Sequence, residues 1–219
     1  MSIFETLSSL FASSLISESR NEQNSGICAL MRIFTSLECI DDAKQVFKET
    51  LVYVFVNELI RGKPQQHYIS MVKDGNTSLF FEKIYLFLKS IKPVCNVLDN
   101  QPLSSGQNFF VQVVWHETAC ALIENTVIFL SGDPNAFHST YKSGLAFIQN
   151  VESICVLPGQ LNCLRGCTSF QNFMKKWQSG IYFQLRQNEI TEKFEAAINL
   201  GENSYYIDSN YTSGTATNV

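Results

Sequence analysis

Between Ser131 and Leu200 apolar and aromatic side chains return every three or four residues, a spacing that leaves helix as the structure able to bury them together. Asp133-Pro134 marks a sharp start within it. An Asp at the N-cap can accept a free backbone N–H, and a proline at the first helical position lacks an N–H that would have had no partner there. Phe137, Tyr141, Leu145, Ile148 and Cys155 follow, up to a stop at Pro158-Gly159. A short turn through Leu161 and Leu164 leads to Thr168, after which Phe170, Phe173, Met174, Trp177 and Ile181 carry the pattern on. A kink is expected at Ser179-Gly180. Ile190, Phe194, Ala197 and Ile198 continue the stripe, Glu189 and Lys193 form a favourable i,i+4 pair, and Gly201 is the expected end.

The same periodicity organises the chain upstream. Residues 2–16 read as an amphipathic helix with Ile3, Leu7, Leu10 and Phe11 on one face and a capping box of Ser2 and Glu5. Ser17 to Gly26 is polar and unpatterned, and is expected as a loop. Ile27, Leu30, Met31, Phe34 and Leu37 form a helical set. Asp41 and Asp42 open a further helix through Ala43, Val46 and Phe47 to Ile60, stopped by Gly62 and Pro64. Leu51 to Val56 is rich in strand formers, but the helical pattern on both sides favours helix. After a loop over 65–76, Leu79, Phe80, Ile84, Phe87, Leu88 and Ile91 mark a helix that Pro93 should end. Pro102 to Gly106 is the internal boundary. Gln107 to Leu130 is apolar around most of its circumference, with Phe110, Val113, Val114, Ala121, Leu122 and Val127, and should be the most buried helix.

The expected fold class is therefore all-α: a helical bundle of about seven or eight helices. Its parts would be a helical segment over 1–104, a bundle over 105–200 and a disordered tail over 201–219.

Composition narrows the function. A hydrophobic fraction of 45% and a charged fraction of 16% fit a chain that buries a core, and the net charge of -4 with 16 scattered basic residues argues against a nucleic-acid partner. The 7 cysteines form no framework spacing and read as reduced thiols of a cytosolic protein. The N-terminus lacks the basic region and cleavage site of a signal peptide. No apolar run approaches the roughly 18 residues of a membrane span. Without a secretory signal, the glycosylation sequons at Asn76 and Asn210 are chance matches.

Several residue groups are candidates for chemistry. Cys163 and Cys167, with Cys155 upstream, have a spacing permitted for half a zinc site, but no second pair lies nearby and His116 or His138 would have to come from other helices. Ser131-Gly132-Asp133-Pro134 places a glycine before a helix, yet it lacks the phosphate-loop pattern and Asp133 would repel a phosphate. Lys175, Lys176 and Arg186 interleave with Trp177, Tyr182 and Phe183, a nucleic-acid cue that helical spacing explains as core and solvated face. His116, Glu117 and Glu124 imitate a di-metal bundle in the wrong order and without a second copy. No catalytic residue, cofactor site or metal site emerges.

One combination is more specific. Gly132, Asp133, Pro134, Asn135, Ala136, Phe137 and His138 stand ahead of Tyr141, Phe147 and Glu152. Phe173 to Trp177, Tyr182 to Arg186, and Glu189-Ile190 then follow. This resembles the C-terminal region of the conserved oligomeric Golgi complex subunit 2 family, whose pattern is a G-N-P-D-x-F start and then F-x-x-x-W-x-x-x-V-Y-F-x-[IL]-R-x-x-E-I. Asp133 and Asn135 exchange the pattern's Asn and Asp, and Ile181 replaces its Val. Arg32 to Ile60 is similar to the family's middle region, more loosely. The resemblance implies an elongated, CATCHR-like helical rod without enzymatic activity, peripheral on the cytosolic face of the Golgi. Such a rod captures vesicles in intra-Golgi retrograde transport. Implied partners are the other subunits of the complex, with SNAREs, Rab proteins and coiled-coil tethers contacting the whole. Gly132, Asp133, Pro134, Phe137, Tyr141, Trp177, Tyr182, Phe183, Arg186 and Glu189 would be its structural motif. The family's long N-terminal coiled-coil-like region and its later helices have no counterpart here, so a short or truncated form is expected. The contrasting reading is a small helical enzyme or ligand binder, with the helix over Gln107 to Leu130 lining a pocket served by Cys and His.

Overall fold

The structure is a computed structural model and describes residues 3–16, 20–61, 76–99, 108–129, 133–157 and 159–211. The chain is an all-α helical bundle, with no strand among the described residues. Helix α1 spans Ile3–Leu15 and α2 spans Arg20–Ser36. The loop expected over Ser17 to Gly26 is thus helical from Arg20. Nothing in the residue types from Arg20 onward forbids a helical backbone. Gly26 has a local reason: a Cβ there would sit 2.8 Å from Oγ of Ser14, so it permits α1 and α2 to approach. Phe11 and Phe34 close the contact edge-on at 5.4 Å.

After Glu38, which adopts φ 55, the third helix runs without interruption through Ile40–Phe47, a π-helical turn at Lys48–Val52, Tyr53–Val56 and a second π-turn at Asn57–Arg61; together these are α3. The strand-forming run Leu51 to Val56 is helical, as its flanks required. The stop at Gly62 and Pro64, the loop over 65–76 and the boundary at Pro102 to Gly106 lie largely outside the described residues.

Helix α4 spans Thr77–Asp99 and passes through Pro93, where the sequence led us to expect an end. A mid-helix proline costs about 3 kcal/mol through its missing N–H and its ring clash. Beyond it Cys95 and Leu98 are fully buried, and that burial outweighs the local penalty. Helix α5 begins with a π-turn at Phe110–Trp115 and continues as His116–Glu124, followed by a 3₁₀ turn at Thr126–Phe129. It is shorter than Gln107 to Leu130, but buried as expected: Phe110, Val114, Trp115, Ala119 and Leu122 are 0% exposed. The side chain of Val127 lies outside the described residues.

Helix α6 spans Pro134–Ser153 and ends before Cys155, while Pro158 lies outside the described residues. Its buried face is Phe137, Thr140, Gly144, Phe147, Ile148 and Val151, slightly rotated from the face drawn through Tyr141 and Leu145, which are half-buried. The expected turn at Leu161 and Leu164 is a short helix, α7, over Gln160–Gly166, entered from Gly159 at φ 77. Helix α8 spans Thr168–Lys176 and α9 spans Ser179–Tyr211. The expected kink at Ser179-Gly180 is instead a full break just before it, with Trp177 at φ -71 and ψ 107. Helix α9 also passes through Gly201, since one glycine costs only about 1 kcal/mol and no proline follows. The remainder of the expected tail, 212–219, lies outside the described residues.

The core is continuous. Helix α4 packs on α6 and α2, α5 packs on α8 and α3, and α1 packs on both α2 and α3. Two ion pairs fix α3 against α5: Lys48 to Glu117 at 2.6 Å, and Arg61 to both carboxylate oxygens of Glu124 at 2.9 and 3.2 Å. Helix α9 touches mainly α6.

Candidate functional site

The residues that carried the family resemblance lie on α6, at the α8–α9 break and on α9. The fold brings most of them into one contact. Gly132 lies outside the described residues. Asp133, with an extended backbone, accepts from the Asn135 N–H at 2.8 Å, and its own carbonyl accepts from the Phe137 N–H at 2.9 Å; Pro134 opens the helix behind it. This is the capped start that the Asp-Pro pair predicted. It sets the first turns of α6 so that Asn135, Phe137, His138 and Tyr141 face α9 and the break before it.

Trp177 occupies that break, 6% exposed. Its indole meets Phe129 at 4.8 Å, Tyr141 at 5.3 Å, Phe137 at 6.0 Å and Phe173 at 6.2 Å, all edge-to-face. Tyr182, one turn into α9, stacks on Phe137 at 5.3 Å and on His138 at 6.1 Å. Aromatic pairs of this geometry contribute about 0.5–1.5 kcal/mol beyond their buried area. Phe183 is different: it contacts Tyr182 at 5.6 Å but is 66% exposed.

A polar arc closes over this cluster. Arg186 donates to Oδ1 of Asn135 at 2.5 Å and to Oε2 of Glu189 at 2.6 Å, with its guanidinium 5.6 Å from the Tyr182 ring centre. Lys193 donates to the other oxygen of Glu189 at 2.7 Å, the i,i+4 pair expected from sequence. Tyr182 and Glu189 both raise the pKa of Arg186, and Lys193, then Arg186, hold the Glu189 carboxyl below its ordinary range. The Asn135–Arg186 bond ties α6 to α9, and nothing in residue spacing announces it. Asn135 is visible in sequence only as an exchange with Asp133.

The thiols and histidines do not converge in the same way. His116, Cys163 and Cys167 line one depression of about 550 Å3 with Val111, Gln112 and Ser169. Cys167 is held by the Leu164 carbonyl at 3.0 Å, and Cys155 by that of Val151 at 3.5 Å. Burial raises the pKa of Cys163, Cys120 and Cys155, the last to about 11. That is the reverse of what a thiolate nucleophile or ligand needs. His116 Nε2 lies 3.8 Å from Cys120, yet Glu117 and Glu124 nearby also push that thiol up. Those two carboxylates are already held by Lys48 and Arg61. Among the described residues, no three or more His, Cys, Asp or Glu side chains group closely enough to hold a metal ion. Most of the apolar circumference of α5 faces the core, and Val111, Gln112 and His116 contribute to the depression that Cys163 and Cys167 line.

Sequence reasoning missed a buried polar link between helices. Lys92, 5% exposed, donates to Oε1 of Gln160 at 2.5 Å and lies 4.5 Å above the Phe110 ring. Gln160 donates to Oδ1 of Asn108 at 3.3 Å. Asp99 accepts from the Phe109 N–H at 2.7 Å. The only available signal was a lysine on the apolar face of α4, one residue before Pro93.

Comparison with known proteins agrees with the resemblance. Over 77% of its length the chain is 25% identical to conserved oligomeric Golgi complex subunit 2 of Homo sapiens, covering 23% of that protein. It is 25% identical to the Drosophila melanogaster subunit 2 over 86% of this chain and 26% of the fly protein. The Arabidopsis thaliana subunit 2 is 22% identical over 81% of this chain and 24% of its own length. The chain thus spans about a quarter of the relatives it matches. No family model and no solved structure matches it.

Proposed function

We propose that this chain, similar along most of its length to subunit 2 of the conserved oligomeric Golgi complex, is a non-enzymatic helical component of that tethering complex. Its role would be to hold vesicles during retrograde transport within the Golgi, and so to maintain Golgi organisation, through protein–protein contacts. It would sit peripherally on the cytosolic face. Among the described residues no helix is long and apolar enough to cross a membrane. Residues 1–104 would act as the middle-region segment and 105–200 as the bundle carrying the family motif. Partners would be the other subunits, with SNAREs, Rab proteins and coiled-coil tethers engaging the assembled complex.

The observation that supports this best is the joining of the two halves of the motif. Residues far apart in sequence, Asn135 with Arg186 and Phe137 with Tyr182, meet directly. Helix formation alone would not need those identities at both ends. The test is to tag the chain at its N-terminus, express it in cells and identify what co-purifies from a gentle lysate. Recovery of the other subunits is the expected result. A folded chain recovered without any of them would overturn the proposal.

A further inference from the structure

The far part of α9 presents an exposed apolar face. From Thr191 to Asn199 every side chain is exposed, so the helix leaves the described body there. Phe183, Ile190 and Phe194 are each 66% exposed and Ile198 is 45% exposed. With Gln187 they advance by alternating steps of four and three, then four, along one face. Residues Phe183, Arg186, Gln187, Ile190 and Thr191 line a concavity of about 320 Å3. The first four stand at i, i+3, i+4 and i+7, the diamond of side chains that receives one knob from a facing helix.

We infer that this face is the docking seam for an α-helix of a partner chain, with apolar residues at three-and-four spacing and acidic residues on the edge that meets Arg186 and Lys193. The inference rests on the tethering-subunit reading above and specifies a surface for it. Charge selects the occupant. One edge of the seam carries Arg186 and Lys193 against the single carboxylate of Glu189, while Gln184 and Thr191 leave the other edge uncharged. An antiparallel second copy would set Arg186 beside Lys193 of its mate, and a parallel copy would set them against Thr191 and Ile198. Neither arrangement gains an ion pair. A membrane surface fits less well, because interfacial helices are rich in Lys and Arg on the polar face, and this one carries Glu189, Glu192 and Glu195.

The test uses the whole chain in cells, with benzoylphenylalanine placed at position 190 or 194, and at 192 on the opposite face as control. The expected result is ultraviolet cross-linking at 190 and 194 but not at 192, to a peptide of another chain. That peptide must itself show seam spacing and an acidic edge; capture of any other protein does not count. Lys193→Glu should lower the yield about fivefold. A lipid adduct, a peptide from a second copy, equal labelling at 192, or no adduct each overturns the inference. Wild-type co-purification of the other subunits is scored separately, so a failed seam leaves the proposed function standing, and the converse also holds.

Discussion

Gly144 and Trp177 fit together only because residue 144 has no side chain: a Cβ there would fall 2.5 Å from Cζ2 of the indole and 3.1 Å from Cη2. Glycine inside a helix ordinarily costs about 0.5–1 kcal/mol relative to alanine, so Gly144→Ala would be stabilising if α6 stood alone. Here it should destabilise, by roughly 1–3 kcal/mol as the ring is displaced from a packed site. In a Trp177→Ala background, itself costing about 3–5 kcal/mol, the same change should reverse sign. Urea unfolding followed by far-ultraviolet circular dichroism of the four variants reads this directly. A Gly144→Ala change that stabilises both backgrounds would mean that the α6–Trp177 contact does not form.

Asn135 and Arg186 make a second prediction about the same joint. If their bond sets where α9 begins on α6, removing either partner should loosen the start of α9 rather than the bundle. Amide exchange over residues 179–189 should speed up in Asn135→Ala and in Arg186→Ala, with α5 unchanged. The double variant should be no faster than Arg186→Ala alone, which already removes the link to Asn135 together with the contacts to Glu189 and Tyr182. Additive acceleration would show that the two side chains act independently.

Sequence patterns conveyed the class of this fold better than its punctuation. Asp133-Pro134 read correctly because an N-cap and a first-turn proline act within four residues. Pro93, Gly201 and the polar run before Gly26 misled because each is a local preference worth a few kcal/mol at most, which packing elsewhere can exceed. The short helix α7 escaped notice since seven residues offer barely two turns of periodicity. At the site, Phe137, Tyr141, Phe173 and Trp177 were legible from their spacing, whereas Phe129 was not, and Phe183, whose spacing reads as core, is exposed. Asn135–Arg186, Gly144–Trp177 and Lys92–Gln160 were not legible, because each depends on two elements meeting in space.

Asp99 carries a pH-dependent cost. Its Oδ1 accepts from the Phe109 N–H, but its Oδ2 is buried without a partner, as is Oδ1 of Asn96 one turn earlier. Burial pushes its pKa above 3.8, with the Phe109 amide and Lys92 opposing. A carboxyl whose folded pKa is raised binds its proton more tightly folded than unfolded. Its ionised form therefore lowers stability at neutral pH, and the loss is recovered as pH falls through the folded pKa towards 3.8. Asp99→Asn keeps an acceptor for Phe109 and removes the buried charge. It should stabilise the protein at pH 7, with the gain shrinking to nothing in acid. Chemical unfolding between pH 3 and 7 measures this; a gain independent of pH would assign the effect to hydrogen bonding alone.

The thiols decide between an inert core and a reactive one. Among the described cysteines Cys163 is exposed, while Cys95 and Cys155 are buried. Exposure should make Cys163 the first to react with an aromatic disulfide reagent. Burial and the neighbouring Cys167 nevertheless hold its pKa above the ordinary 9.0, so it should react more slowly than a free thiol at pH 7 and accelerate as pH rises. Cys155, pushed up to about 11, should stay silent until the chain unfolds. Cys163→Ser should remove the earliest phase and leave the others in place. A thiol reacting faster than a free one at pH 7 would contradict this electrostatic account, because it requires a stabilised thiolate. It would also return the depression formed by His116, Cys163 and Cys167 to consideration as a chemical site.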